Sequence, residues 1–210
     1  MADEVVDVLQ EVVREVSPQA DLLRELDAKI GDGDLGVTIK KGLAAVDEGL
    51  AGLRGQPVSD QLVRSGMSFN RAAASTFGAL FATAFMRAGK AVSGREDVSR
   101  ADIVPIGRAA LQGVMERGKA SLGDKTLIDA LAPAIDAFEE AQMAGQSLLE
   151  ATDAAAEACD AGTKATIEMQ SRVSRASWMG ERSIGVQDPG ATAVLLMVRA
   201  AQRWVREYAE

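Results

Sequence analysis

The chain has 210 residues, 47% of them hydrophobic, which suffices for one domain with a sizeable core and is too apolar for a disordered chain. Its formal charge of −8, from 23 basic and 31 acidic side chains, and its pI near 4.8 argue against nucleic acid or an anionic membrane as partner. One cysteine, Cys159, and no histidine exclude an intrachain disulfide, a Ser-His-Asp triad and a histidine metal site, so any metal must be a hard cation held by oxygen.

Nearly every segment carries helical period. Val5, Val6, Leu9, Val12, Val13 and Val16 form one apolar stripe, and Ser17-Pro18 then reads as a cap and first-turn pair opening a second helix, with Leu22, Leu23 and Leu26 inward. Gly31-Asp32-Gly33-Asp34 breaks that helix, and a third is expected from about Leu35 to Leu53. After the turn at Gly55-Gln56-Pro57, a fourth helical region covers about Val58 to Val92, with an interruption expected near Gly66 to Asn70. Ser99 or Asp102 opens a fifth helix ending near Gly118; Asp124 to Ala144 reads as a sixth and Gln146 to about Ser171 as a seventh. Asp188-Pro189 repeats the cap-then-proline signature before an eighth, with Val194, Leu195, Val198, Ala201 and Val205 on one face.

No strand alternation and no internal repeat stand out, so the expected fold is all-α: a single domain over residues 1–210, an antiparallel bundle or barrel of eight helices. Scarce aromatics, 4% of the chain, and abundant alanine suit helices packed through small side chains. The Met-Ala-Asp-Glu start has neither the basic nor the apolar part of a signal peptide, and the run Phe77 to Met86 is too short to cross a bilayer. A cytoplasmic protein is the expectation.

Asp27, Asp32 and Asp34 are the clearest chemical signal. Asp27 falls on the last turn of helix two, and the other two alternate with Gly31, Gly33 and Gly36, which let a loop fold tightly around a ligand. Carboxylates so close repel one another unless a cation offsets them, and magnesium binds through a few carboxylates plus substrate phosphates. An EF-hand does not fit, because Leu43 stands where its bidentate Glu belongs. A solvated acidic turn is the plain alternative.

Two further loops carry charge. Arg175 and Arg182 could neutralise phosphate, and Asp188 caps a helix whose N-terminus attracts anions, although a capping Asp before Pro is ordinary and the arginines could pair with surface acids. Gly118-Lys119 and Gly123-Asp124-Lys125-Thr126 lack P-loop spacing and could equally be a helix start capped by Asp124 or Thr126. Thr76-Phe77-Gly78-Ala79 reads as tight helix packing.

In order and together, these blocks resemble the L subunit of the dihydroxyacetone kinase family. The matching segments are Leu26 to Asp34, Gly123 to Thr126, Arg175 to Ser177, Gly180 to Gly185 and Gln187 to Ala191, and they span almost the whole chain. The resemblance implies an eight-helix barrel with nucleotide at one end, and two magnesium ions held against its phosphates by aspartates matching Asp27, Asp32 and Asp34. It implies ADP or ATP contacts at Leu35, Gly36, Val37, Thr38, Thr76, Phe77, Gly118, Leu127, Arg175, Asp188, Pro189 and Gly190, with Arg175 assisting catalysis.

It also implies a partner. A separate K-type subunit binds the ketose through a histidine, a residue this chain lacks. The expected function is therefore the nucleotide- and magnesium-binding subunit of a two-component kinase for dihydroxyacetone or a related short ketose. Some L subunits exchange ATP; others keep ADP bound and have it rephosphorylated by a phosphotransferase-system subunit, and the Gly180 to Gly185 block is closer to the second type. A homodimer is left open. The chain departs from the family at four positions: Leu35 replaces a His, Phe77 follows Thr76 where a Ser before Gly is typical, Ser174 replaces a Gly, and Val186 stands where His is frequent. Loss of polar groups at Leu35 and Phe77 leaves an alternative, a non-catalytic nucleotide-binding paralogue acting as a regulatory module.

Overall fold

The computed structural model describes residues 2–95 and 98–209, which hold nine α-helices and no strand. These are α1 (Ala2–Val16), α2 (Ala20–Ile30), α3 (Leu35–Leu50), α4 (Val58–Ala72), α5 (Thr76–Ala91), α6 (Ile103–Gly118), α7 (Ile128–Met143), α8 (Leu148–Ala165) and α9 (Pro189–Tyr208). The all-α expectation holds. None of the described helices is long and apolar enough to cross a membrane.

Helix packing follows chain order from α3 to α9, and the circuit closes because α1 lies against both α9 and α3. Eight helices thus form a ring. The additional one, α2, packs on α3 and α9 instead of taking a place in the circuit. Gly36, in the first turn of α3, makes this crossing possible, since a methyl group there would collide with the Ala20 carbonyl and Arg24 Cβ.

The ninth helix comes from the segment expected as a single fourth helix. It splits at Ala73 to Ser75, not at Gly66 to Asn70. Ser75 takes extended backbone and its Oγ accepts from Gly78 N at 3.0 Å, an N-cap that starts α5 afresh. Gly66 stays inside α4 because it gives room to Phe85 and Ala82 of α5. Three boundaries also move. Helix α3 ends at Leu50 in a 3₁₀ turn; α7 starts at Ile128, with neither Asp124 nor Thr126 as its N-cap; and α8 ends at Ala165. Ser17 makes no side-chain cap, whereas Ser147 with Glu150 and Ser99 with Asp102 form capping boxes.

Three apolar clusters fill the ring. The largest centres on Phe69, fully buried and stacked on Phe81 with ring centroids 4.2 Å apart, with Val6, Ile39, Leu43 and Leu50 around it. Small residues build the second, including Ala130, Ala134, Ala151, Ala155 and Cys159 of α7 and α8. Helices α7 and α8 meet closely there because most of the side chains between them are alanine methyls.

Two glycines of α3 report on this packing. A methyl at Gly42 would fall inside the Phe69 ring, which cannot move, while nothing lies within 4 Å of one at Gly49. Overpacking costs about 1–3 kcal/mol, against roughly 1 kcal/mol that alanine gains over glycine within a helix. Gly42→Ala is therefore expected to lower the urea unfolding midpoint and Gly49→Ala to raise it slightly. Equal shifts in the two variants would contradict this account of the core.

Candidate functional site

Alternation of helix direction brings the starts of α3, α5, α7 and α9 to the same end of the ring as the ends of α2 and α6. A cleft of about 750 Å³ opens there, lined by Leu35, Thr76, Ile128 and Pro189 from those starts and by Ile30 and Gly118 from those ends. The helix starts turn positive partial charge toward the space between them.

One lip is acidic. Asp27, Asp32 and Asp34 each offer a carboxylate oxygen within 4.8 Å of the others. The geometry follows from the local sequence. Gly31 ends α2 with its N–H on Asp27 O, Gly33 adopts φ 74°, and Leu35 N returns to Asp27 Oδ2 at 3.1 Å. Burial and the neighbouring Asp27 charge push the Asp34 carboxyl above its ordinary range. Three hard oxygen donors of like charge converge there, and Mg²⁺ suits such a donor set. Arg175 reaches across from the opposite lip to pair with Asp32.

The opposite wall is apolar, formed by Phe77, Leu80, Val114, Leu127 and Val173. The floor is Asp188-Pro189-Gly190 at the head of α9. Asp188 Oδ1 accepts from Ala191 N at 2.7 Å, and its own N–H donates to Thr166 Oγ1 at 2.9 Å. Burial raises the Asp188 carboxyl to about 7, against the opposing pull of its backbone donors and of Lys125.

Twelve of the sequence-predicted residues line this cleft: the three aspartates, Leu35, Thr76, Phe77, Gly118, Leu127, Arg175, Asp188, Pro189 and Gly190. Gly36, Val37 and Thr38 do not. They lie within the first turn of α3, with Gly36 pressed on α2, Val37 49% exposed and Thr38 buried. The side chain of Leu35 belongs to the apolar core around Phe69, and Phe77 packs against that core with its ring 6.3 Å from that of Phe69. Apolar residues at both positions thus serve packing.

Lys125 is the residue that sequence reasoning missed. It is 2% exposed, and its Nζ donates to Met169 O at 3.0 Å, Ser183 O at 2.6 Å and Val186 O at 2.7 Å. It ties the loop before α7 to the long segment before α9, both of which wall the cleft. Asp129 adds to this by accepting from Gly123 N and Thr126 N. The Gly123 to Thr126 block carried the only sequence signal, and it read as a superficial phosphate loop or a capped helix start, not as an anchor.

A profile of the DAK2 domain matches residues 29–203. The ADP-binding subunit DhaL of the PEP-dependent dihydroxyacetone kinase of Escherichia coli (strain K12) is 35% identical over 183 residues, covering 87% of each chain. The ADP-binding subunit DhaL of PEP-dependent dihydroxyacetone kinase 1 of Listeria innocua is 32% identical, covering 88% of this chain and 87% of its own. The L-erythrulose kinase of Pectobacterium atrosepticum is 31% identical over 85% of this chain, which spans only 30% of that enzyme. In structure, the dihydroxyacetone kinase of C. freundii in complex with AMP-PNP and Mg²⁺ superposes with a TM-score of 0.77 at 24% identity, over 97% of this chain and 34% of that one. That likeness shows the same fold.

Asp188 gives the floor of the cleft a signature in pH. Its carboxyl holds a proton in the folded state up to about 7, while in the unfolded chain it titrates near 3.8. Between those values the folded state keeps a proton that the unfolded state releases, so this group's contribution falls as pH rises through that window. Asp188→Asn keeps the cap acceptor without the charge and is expected to gain stability relative to the parent between pH 4.5 and 7.5. Asp188→Ala loses the cap at a cost of about 0.5–2 kcal/mol. Urea unfolding at the two pH values checks both, and a parent-to-Asn difference that does not change with pH would contradict the burial of a protonated carboxyl.

Proposed function

The chain belongs to the DAK2 domain family, and on that premise we propose that it is the nucleotide- and magnesium-binding subunit of a two-component kinase for a short ketose, held by a separate K-type subunit. The observation that carries this reading is the convergence of Asp27, Asp32 and Asp34 on one lip of a cleft whose other wall is apolar. A nucleotide is a ligand of that pattern, with charged phosphates at one end and a flat base at the other. The relatives extend it to dihydroxyacetone or an erythrulose as acceptor class.

In this reading the aspartates hold two magnesium ions, which when bound supply charge compensation on the phosphate oxygens. The remaining work belongs to the protein. Leu35 N–H and the Gly31 turn fix the aspartate oxygens before a ligand arrives. Arg175, already directed at this lip, exchanges its Asp32 partner for phosphate oxygens and stabilises charge as the terminal phosphoryl group leaves. Thr76 and Gly190, in the first turns of α5 and α9, turn N-terminal dipoles toward the anion. Phe77, Leu80, Val114 and Leu127 exclude water from the base.

The phosphoryl group passes to a primary hydroxyl of the ketose, whose proton goes to a base of the assembled complex, and the histidine that holds the ketose belongs to the partner, since this chain has none. Kinship with subunits named ADP-binding and PEP-dependent supports a nucleotide kept in place and rephosphorylated by a phosphotransferase-system subunit, over free exchange of ATP. Such a division of labour operates in the cytoplasm. With Leu35 and Phe77 accounted for by packing, the non-catalytic module loses its main support.

Binding of Mg-ADP at about 100 times its Kd stabilises the folded state by about 2.7 kcal/mol, a rise of roughly 5–10 °C in Tm for a chain of this size. That rise is expected for the parent and absent for Asp32→Ala and Asp34→Ala, whose ligand-free Tm stays within a few degrees, since exposed ion pairs contribute ~1 kcal/mol or less. The same variants are expected to lose phosphoryl transfer when paired with the ketose-binding subunit. An undiminished Mg-ADP shift in both variants would sink the assignment, and a shift without turnover in the parent would favour the non-catalytic module.

A further inference from the structure

The acidic lip carries a cation of the chain's own. Arg175 pairs with Asp32, one of the three aspartates whose oxygens converge. Asp27 and Asp34 pair with no basic side chain among the described residues, so Arg175 supplies the counter-charge of the cluster. Its backbone is held firmly. Ser174, just before it, takes φ 58° and ψ −165°, a region nearly confined to glycine that persists where surrounding contacts determine it. Those contacts lie on both sides: Arg172 N–H donates to Asp124 O at 3.2 Å, Ser171 N–H donates to Ser183 Oγ at 2.9 Å, and Ser183 O accepts from the buried Lys125. The side chain itself is 59% exposed, so its guanidinium can change partners by rotation alone.

Two cations therefore contend for one carboxylate. A divalent ion at this lip needs the Asp32 oxygen that Arg175 engages, and it repels the guanidinium it displaces. With no phosphate in the cleft, the displaced guanidinium has only water as a partner. With a nucleotide there, phosphate oxygens offer its fork a bidentate acceptor, and the exchange leaves neither cation unpaired.

We propose that Arg175 is a specificity-determining residue whose ion pair with Asp32 withholds the acidic lip from a bare divalent cation and releases it to the cation–nucleotide complex. The proposal rests on the nucleotide- and magnesium-binding reading above. Metal and nucleotide then each bind more tightly in the presence of the other, and by the same factor, because such coupling is reciprocal. Removing the Arg175 charge acts in opposite directions on the two ligands: binding of metal alone tightens, and binding of the complex weakens. A merely structural role for Arg175 would not produce that reversal.

The probe is Mn²⁺, which carboxylate sites accept as they accept Mg²⁺, titrated into nucleotide-free protein and followed by the paramagnetic resonance of the free ion. Arg175→Gln keeps a polar side chain without the charge and is expected to bind Mn²⁺ about fivefold more tightly than the parent, the scale of an exposed ion pair. The same variant is expected to bind Mg-ADP, measured by calorimetry, about tenfold more weakly, because a charge-assisted phosphate contact is lost. Arg182→Gln removes an equal charge from the same segment, at a position that lines no part of the cleft, and is expected to leave Mn²⁺ binding within about twofold of the parent. Mn²⁺ binding by Arg175→Gln that is no tighter than the parent's, or undetectable in both, would overturn the proposal. So would an equal gain in Arg182→Gln, which would reduce the effect to net charge, or Mg-ADP binding by Arg175→Gln as tight as the parent's. In each of these cases an intact Mg-ADP thermal shift in the parent would leave the nucleotide reading standing, whereas no Mg-ADP binding by the parent would remove that reading and the proposal with it.

Discussion

Lys125 donates from one buried ammonium to three carbonyls at Met169, Ser183 and Val186, and the walls of the cleft are held in register by those bonds. A buried cation is costly unless its donors are satisfied, and here all three are. Burial still pulls the Lys125 pKa below its usual range, and the adjacent Asp188 opposes that pull. Lys125 also adopts a left-handed backbone, φ 61°, uncommon for a side chain of its kind and retained where surrounding contacts determine it. Without this anchor, the segment from Thr166 to Val186 would have few ties to α7, and Arg175 would have no fixed position opposite the aspartates.

The helix ring supplies the second constraint. Because neighbouring helices alternate in direction, the starts of α3, α5 and α9 share one end, and each presents backbone donors there. The acidic lip stands beside this positive field. A free anion would meet attraction from the helix starts and repulsion from Asp27, Asp32 and Asp34; a cation-bound anion would meet attraction from both. The arrangement therefore selects for a metal complex over either component alone.

Much of this was legible in the sequence, for definable reasons. Aspartates alternating with glycines at the end of a helix announce converging carboxylates, because glycine closes the turn, as Gly31 and Gly33 do here. Asp188-Pro189 announced a helix start, because cap and proline act within a few residues. The split between α4 and α5 was hidden. Neither glycine nor proline marks Ala73 to Ser75, so only the Ser75 cap distinguishes the break. Positions set by tertiary contacts were hidden as well. Gly36, Val37 and Thr38 follow the aspartates in sequence but turn away within α3, and Lys125 looks like any surface lysine until three distant carbonyls surround it.

Closure of the ring by α9 against α1 has a consequence for how the molecule comes into being. Ala193 and Ala200 of α9 complete the same core that holds Val6, Leu9 and Val12 of α1. The contacts that seal the barrel thus join the most distant parts of the chain, and their loop-closure entropy must be overcome before they repay it. During synthesis, α1 through α8 can pair with their neighbours as they emerge, but the seam stays open until α9 arrives. Asp188 lies at the head of that same helix, so the floor of the cleft is laid in the step that closes the barrel. A nascent chain accordingly has no finished cleft to offer a ligand, and ligand binding can report that folding is complete.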